Sequence, residues 1–186
     1  PVGAFALSEP DAGSNPAEMS TEARPVDGRD AYVIDGTKQW ITNGERAGVY
    51  VVFARTDAAD PDSVTQFLVP ADADGLSVGD PEEKLGLRAS DTTSLTFDGV
   101  RVPAEYRLTE EGRGLAAALR ILTGGRVGIA AQSVGLAQAA LDEAVEYAGE
   151  REQFDQPIGE FQSIRHTLAE MHTQVQAGRL LTRDAA

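Results

Sequence analysis

Ala31-Tyr-Val-Ile-Asp-Gly-Thr-Lys-Gln-Trp-Ile-Thr42 is the stretch on which the fold turns. Two β-rich runs, Ala31-Tyr-Val-Ile34 and Lys38-Gln-Trp-Ile-Thr42, flank Asp35-Gly36. That dipeptide is a strong short-range hairpin signal, because glycine takes positive φ without a steric penalty. The reading is a β-hairpin. Outward from it, residues 49–54 form an almost wholly apolar strand and residues 65–69 another. Leu95-Thr-Phe97 closes the set before Asp98-Gly99 and the turn at Pro103. Asp/Pro/Gly clusters at 57–62 and 72–75 have the composition of loops between strands. Short strands with regular turn signals predict a small antiparallel β-barrel or sandwich over residues 1–110.

From Gly112 onward the apolar period changes to threes and fours: Leu115, Leu119, Leu122, Val127, Ala130, Val134, Ala137, Leu141, Val145 and Ala148. This spacing predicts a helix to about Glu150, then a loop holding Pro157. Ile164, Leu168, Met171, Val175 and Leu180 mark a second helix. Residues 111–186 therefore read as long antiparallel helices of an incomplete four-helix bundle, and the fold class is α+β. Gly124, Gly125, Gly128 and Gly135 predict close helix contacts on a face that needs partners.

Composition narrows the function. The 186 residues are 41% hydrophobic, enough for a core, and carry a formal net charge of −14. Such a charge argues against nucleic acid or an anionic membrane as partner. The apolar runs are shorter than the roughly 20 residues of a bilayer span, and residues 1–7 do not resemble a signal peptide, so a soluble, cytoplasmic protein is expected. Without cysteine there is no disulfide, thiolate metal site or cysteine nucleophile. His166 and His172 are six apart and do not converge on a metal. The only lysines are Lys38 and Lys84. Acidic residues spread along the whole chain suit a high-salt cytoplasm, so a halophilic source is expected.

Two segments point to chemistry. Phe5-Ala-Leu-Ser-Glu-Pro-Asp-Ala-Gly-Ser14 ends a strand in a small-residue corner, where backbone N–H groups and the Ser8 and Ser14 hydroxyls suit a phosphate or the polar edge of a flat ligand. Taken alone, such a corner is usually just a turn. Trp40-Ile-Thr42 sets an aromatic plane and a hydroxyl two residues apart on one strand, which puts both side chains on the same face. A lone Trp is ordinarily a core residue.

In this order and spacing the segments resemble the acyl-CoA dehydrogenase family. "FALSEPDAGSN" (5–15) and "GTKQWITNG" (36–44) are similar to its two flavin motifs, and "KLGLRASDTTSLTFDGVRVP" (84–103) to the end of its middle β domain. "GGRVGIAAQSVGLAQAALDEAVEYAGEREQFDQPIGEFQ" (124–162) resembles its long C-domain helix and the loop beyond. The resemblance covers nearly the whole chain, which reads as the middle and early C-terminal part of a longer enzyme.

The resemblance implies FAD as cofactor. Phe5, Ala6, Leu7 and Ser8 would line the flavin, Trp40 would cover one of its faces with Ile41 beside it, and Thr42 would donate to its N5/O4 edge, where negative charge develops on hydride uptake. Ser14 would sit where flavin meets acyl-CoA, and Thr123, Gly124, Gly125 and Arg126 would meet the CoA thioester. A guanidinium suits phosphate oxygens; without the resemblance, Arg126 reads as a helix-surface ion-pair residue. Arg151, Gln153 and Gln162 match positions that reach the FAD of a neighbouring subunit, so the parent would be a homo-oligomer, a dimer of dimers. Phe154 is expected to pack. An electron-transferring flavoprotein would be the electron acceptor.

Several positions depart from the family pattern. Thr123 stands where Asp is frequent, Asp155 where Gly is frequent, and Gly149 where a long polar residue is frequent. The family's catalytic base is a glutamate, usually in a later segment and in a minority immediately before the arginine; here that position is Gly125. The chain alone is therefore expected to be inactive. Two other readings stand beside the dehydrogenase: an acyl-CoA oxidase or flavin monooxygenase of the same fold, and a non-catalytic acidic interaction protein.

Overall fold

The computed structural model describes residues 2–186. Seven strands form one sheet: β1 (Gly3–Ala6), β2 (Glu22–Val26), β3 (Ala31–Thr42), β4 (Val49–Arg55), β5 (Val64–Pro70), β6 (Leu76–Val78) and β7 (Thr92–Pro103). The order is β1-β4-β2-β3-β7-β6, and β5 also pairs with β4. Helix α1 (Gly114–Glu150) follows, then a two-residue-strand hairpin, β8 (Glu152–Gln153) with β9 (Gln156–Pro157), and helix α2 (Gln162–Asp184). The expected α+β order, sheet first and helices second, is the observed one.

Asp35-Gly36 does not form the expected hairpin. β3 runs through it as one 12-residue strand, flanked by β2 and β7, and the register to β7 skips between Ile34 and Gly36. β7 likewise does not stop at Phe97; it continues through Asp98-Gly99 to Pro103. The two Asp-Gly pairs face each other as a bulge. Gly36 has φ +144, and a Cβ there would stand 2.5 Å from Thr21 Oγ1. The Asp35 carboxylate accepts the Gly99 N–H at 2.7 Å and an Arg24 N–H at 2.6 Å. A glycine that tolerates unusual φ serves a bulge as well as a turn, and two long neighbouring strands offer β3 more ladder hydrogen bonds than folding back on itself would. The actual hairpin joins β2 to β3, around Gly28 and Arg29 at φ +66 and +80. β2 is hard to recognise because Glu22-Ala-Arg-Pro-Val26 is polar and holds a proline. Pro25 is tolerated because β2 meets β4 only at Glu22–Arg55, leaving one side of the strand largely unpaired.

Most strand pairs are antiparallel, but β1 and β2 run parallel to β4. The sheet is mixed because the chain passes through the β2–β3 hairpin between β1 and β4 and re-enters in the same direction. It also curls. Tyr32 on β3 and Phe67 on β5 have ring centroids 4.9 Å apart although β2 and β4 lie between them in the sheet. The Leu108 N–H bonds the Gln66 carbonyl at 2.8 Å, so the segment after β7 covers the β5 edge. Inside lie Tyr32, Ile34, Tyr50, Val52, Phe67, Val69, Leu95 and Phe97, all essentially without solvent contact.

The chain divides into two compact units, one ending at Leu119 and the other beginning at Arg120, inside α1. In the first, the opening turns of α1 dock on the sheet: Ala118 and Leu115 pack with Leu7, Met19, Phe53 and Val64. A Cβ on Gly114 would stand 2.8 Å from Thr65 backbone atoms, so the helix must start on a glycine. In the second unit α1 and α2 run antiparallel. Val134 faces Gly178, Gln138 accepts an Arg179 N–H at 2.8 Å, and Leu141, Ala148 and Val175 are the buried apolar side chains. Contrary to the expectation from apolar run length, α1 is long and apolar enough, by length and composition, to cross a membrane. Alanine, valine, leucine and isoleucine, interrupted by few charges, raise its average without making one continuous greasy run.

Candidate functional site

The corner after β1 is tied to the middle of β3. The Gln39 N–H donates to the Ser8 carbonyl at 2.9 Å, and the Lys38 ammonium donates to the Leu7 carbonyl at 3.1 Å. Within the corner, Glu9 and Ala12 exchange backbone hydrogen bonds. Residues 5–8 and 40–42, both expected at the site, are thereby held side by side. Ala6 and Leu7 point into the core, and Phe5 packs edge-on against Phe53 at 4.8 Å. What this strand end offers outward is its backbone and the half-buried Ser8.

The link between the segments is an ion pair that sequence reading missed. Lys38 Nζ lies 2.8 Å from Glu9 Oε1, with side-chain exposures of 0% and 2%. The Glu9 carboxylate also accepts the Ser20 N–H and hydroxyl at 2.6 and 2.8 Å and the Thr21 N–H at 3.0 Å. Burial alone would raise the Glu9 pKa, but the Lys38 charge and these hydrogen bonds outweigh it and hold the group at about 2. Burial pushes the Lys38 ammonium down to about 8 against the pull of Glu9. At neutral pH both are charged. The available signal was compositional: one of only two lysines, inside a strand.

Trp40 is 57% exposed and sits at φ +61, a left-handed conformation that is uncommon for a bulky residue. The register to β7 skips again between Lys38 and Ile41, which are both buried although three apart. Regular alternation would have put Trp40 and Thr42 on the Lys38 side, in the core. The bulge reverses the phase, and both are exposed. The same-face expectation rested on unbroken alternation, and that premise is corrected. Beyond Thr42 the chain turns at Asn43, φ +61. Asp91 holds this turn, its carbonyl accepting the Asn43 N–H at 3.1 Å and its carboxylate the Glu45 N–H at 2.8 Å. Gly44 is required here, since a Cβ would lie 2.0 Å from Thr93 Oγ1.

Ser14 is exposed on the loop of the first unit. The other expected residues belong to the second unit. Thr123, Gly124, Gly125 and Arg126 are exposed along α1. Arg151 precedes β8, Gln153 ends it, and Gln162 opens α2, all exposed. The hairpin turns through Phe154 and Asp155, both at positive φ. Phe154 does not pack as expected: it is 88% exposed and makes one edge contact with Phe161, centroids 6.1 Å apart. A two-residue turn with both φ values positive points its first side chain away from the hairpin. Among the described residues no cluster of His, Cys, Asp or Glu could hold a metal ion.

In the first unit, then, an exposed indole and hydroxyl on β3 and a strand end offering backbone groups and Ser8 belong to two segments tied together by the Gln39–Ser8 and Lys38–Leu7 bonds. Such a surface suits a flat aromatic ligand with a polar edge. Known proteins sharing the chain's sequence and fold agree with that chemistry. Residues 4–100 match the model of the acyl-CoA dehydrogenase middle domain, and residues 112–186 that of the acyl-CoA dehydrogenase C-terminal domain. The mitochondrial short-chain specific acyl-CoA dehydrogenase of Rattus norvegicus is 46% identical over 186 residues, covering 100% of this chain and 45% of the relative. Butyryl-CoA dehydrogenase from Megasphaera elsdenii superposes with a TM-score of 0.94 at 44% identity, covering 100% of this chain and 48% of that one. A glutaryl-CoA dehydrogenase from Mycobacterium smegmatis, solved in complex with FADH2, superposes with a TM-score of 0.88 at 42% identity, covering 97% and 45%. The chain spans about half the length of the curated relatives it matches. Two domain models met in their proper order, together with this identity over the full chain, make it a member of the acyl-CoA dehydrogenase family.

Proposed function

We propose that this chain is the flavin-facing part of an FAD-dependent acyl-CoA dehydrogenase that converts a short acyl-CoA thioester to the 2,3-enoyl-CoA. The observation that carries the proposal is the exposed Trp40 indole, held at positive φ beside the docked Phe5–Ser8 strand end. The names of its relatives, short-chain specific and butyryl-CoA dehydrogenases, support a short acyl chain. When bound, FAD supplies the acceptor for the hydride leaving the β-carbon. Trp40 covers one face of the ring and excludes water, the 5–8 backbone and Ser8 hold its polar edge, and Thr42 donates a hydrogen bond where negative charge gathers. Ser14, Thr123, Gly124, Gly125 and Arg126 receive the CoA thioester, with Arg126 as the phosphate-seeking cation.

No residue of this chain takes the α-proton in this reading. Gly125 has no acid side chain, and Glu143, Glu146 and Glu150 lie at helical spacing as a solvated face. The chain by itself therefore does not turn over. Arg151, Gln153 and Gln162 reach the FAD of a second copy, which makes the working form a dimer of dimers in the cytoplasm, passing electrons to an electron-transferring flavoprotein.

Absorbance of the complete protein, followed during anaerobic titration with butyryl-CoA, tests this. Flavin bands that bleach on titration support the proposal; a colourless protein, or bands indifferent to every acyl-CoA from butyryl to palmitoyl, overturns it.

A further inference from the structure

We propose that the buried Lys38–Glu9 ion pair is the positioning element of the flavin face, locking the corner after β1 to the Trp40 bulge so that both meet the ring in one fixed arrangement. The inference rests on the FAD reading above. Neither charge touches solvent, so neither binds a ligand directly. Burying both is costly unless their hydrogen bonds are filled, and here they are. The ammonium spends its three donors on the Leu7 carbonyl, the Glu9 carboxylate and Met19 Sδ, at 3.1, 2.8 and 3.8 Å. The carboxylate in turn bonds Ser20 and Thr21, whose segment leads into β2.

An apolar pair of similar volume would fill the space but would leave the Leu7 carbonyl and the Ser20 and Thr21 N–H groups without these partners. The ion pair thus gathers three segments at one point: the corner after β1, the entry to β2, and β3 one residue before the bulge. Lysine suits the site because a compact ammonium on a thin stem reaches three different acceptors, where a planar guanidinium would not. Directly after Lys38 comes the Gln39 N–H bond to the Ser8 carbonyl, then Trp40 in its left-handed conformation. A bulky residue stays there only when its surroundings over-determine it. On one side the lock is Lys38–Glu9; on the other it is buried Ile41 and the Asp91-held turn.

The test uses the complete FAD-loaded protein with Lys38→Met and the double variant Glu9→Gln/Lys38→Met, which leaves no orphaned charge. Readouts are FAD affinity, visible circular dichroism of the flavin, and kcat and KM for butyryl-CoA. We expect the double variant to fold, to lose roughly tenfold or more in kcat with KM within about twofold, and to show an altered flavin dichroism and weaker FAD binding. A folded double variant with wild-type dichroism, FAD affinity and kcat overturns the positioning role while leaving the flavin reading intact. Wild-type protein without flavin overturns both. Hydrogen exchange needs no variant: the Gln39 amide should be protected like the β3 core amides, and exchange at the rate of a free loop overturns the lock.

Discussion

The sheet unit and the helical unit bury their apolar residues very differently. The sheet encloses a continuous core of aromatic and β-branched side chains, and even its one lysine at the core is sealed from water. The helical unit leaves Ile129, Leu136, Val145, Tyr147, Leu180 and Leu181 exposed, and Leu136 is 66% open to solvent. A curled sheet closes over its own inner face, whereas two helices share only one seam and leave the rest of their apolar surface uncovered. The first unit therefore carries its own stability, and the second depends on whatever covers it.

Truncating the core is the strongest way to break this comparison. Phe67→Ala should destabilise the chain by about 3–5 kcal/mol in urea denaturation, and Leu136→Ala by less than about 0.5 kcal/mol. Comparable losses would mean that the helices own a core of their own.

Acid gives the next effect. The folded Glu9 pKa of about 2 lies below its ordinary 4.5, so the unfolded chain binds that proton more readily. Its contribution is complete above about pH 4.5 and drains as pH falls toward 2. The melting temperature of the chain should drop across that window, and Glu9→Gln should flatten the drop. A wild-type curve level from pH 4.5 to 2 would mean that Lys38 and the hydrogen bonds do not hold the folded Glu9 carboxylate below its ordinary pKa.

Glycines should respond with opposite sign in the two units. Gly36→Ala meets Thr21 backbone at 2.8 Å on a φ of +144, and should cost about 1–3 kcal/mol. Gly124→Ala meets nothing within 4 Å, and should stabilise α1 by about 0.5–1 kcal/mol. A loss at Gly124 in the complete protein, set against a gain in this chain, would identify the covered face.

Salt gives the smallest effect. With a net charge of −14, screening should raise the melting temperature between low and molar KCl if the acidic surface is a salt adaptation. No gain above ordinary ionic strength would remove that idea.

The sequence by itself determined the order of sheet and helices, the extents of α1 and α2 to within a few residues, and the motifs that carry the family. These signals are local: hydrophobic period reports which face is buried, and a contiguous motif reports itself. It did not determine what the two Asp-Gly pairs do, because a glycine at unusual φ fits a turn and a bulge equally until the neighbouring strands are known. Nor did it show β2, the parallel pairing of β1 with β4, or Lys38 meeting Glu9 from 29 residues away. The Trp40 bulge belongs with these. Only the tertiary structure decided them, since each depends on which distant segment arrives to satisfy a buried hydrogen bond or charge.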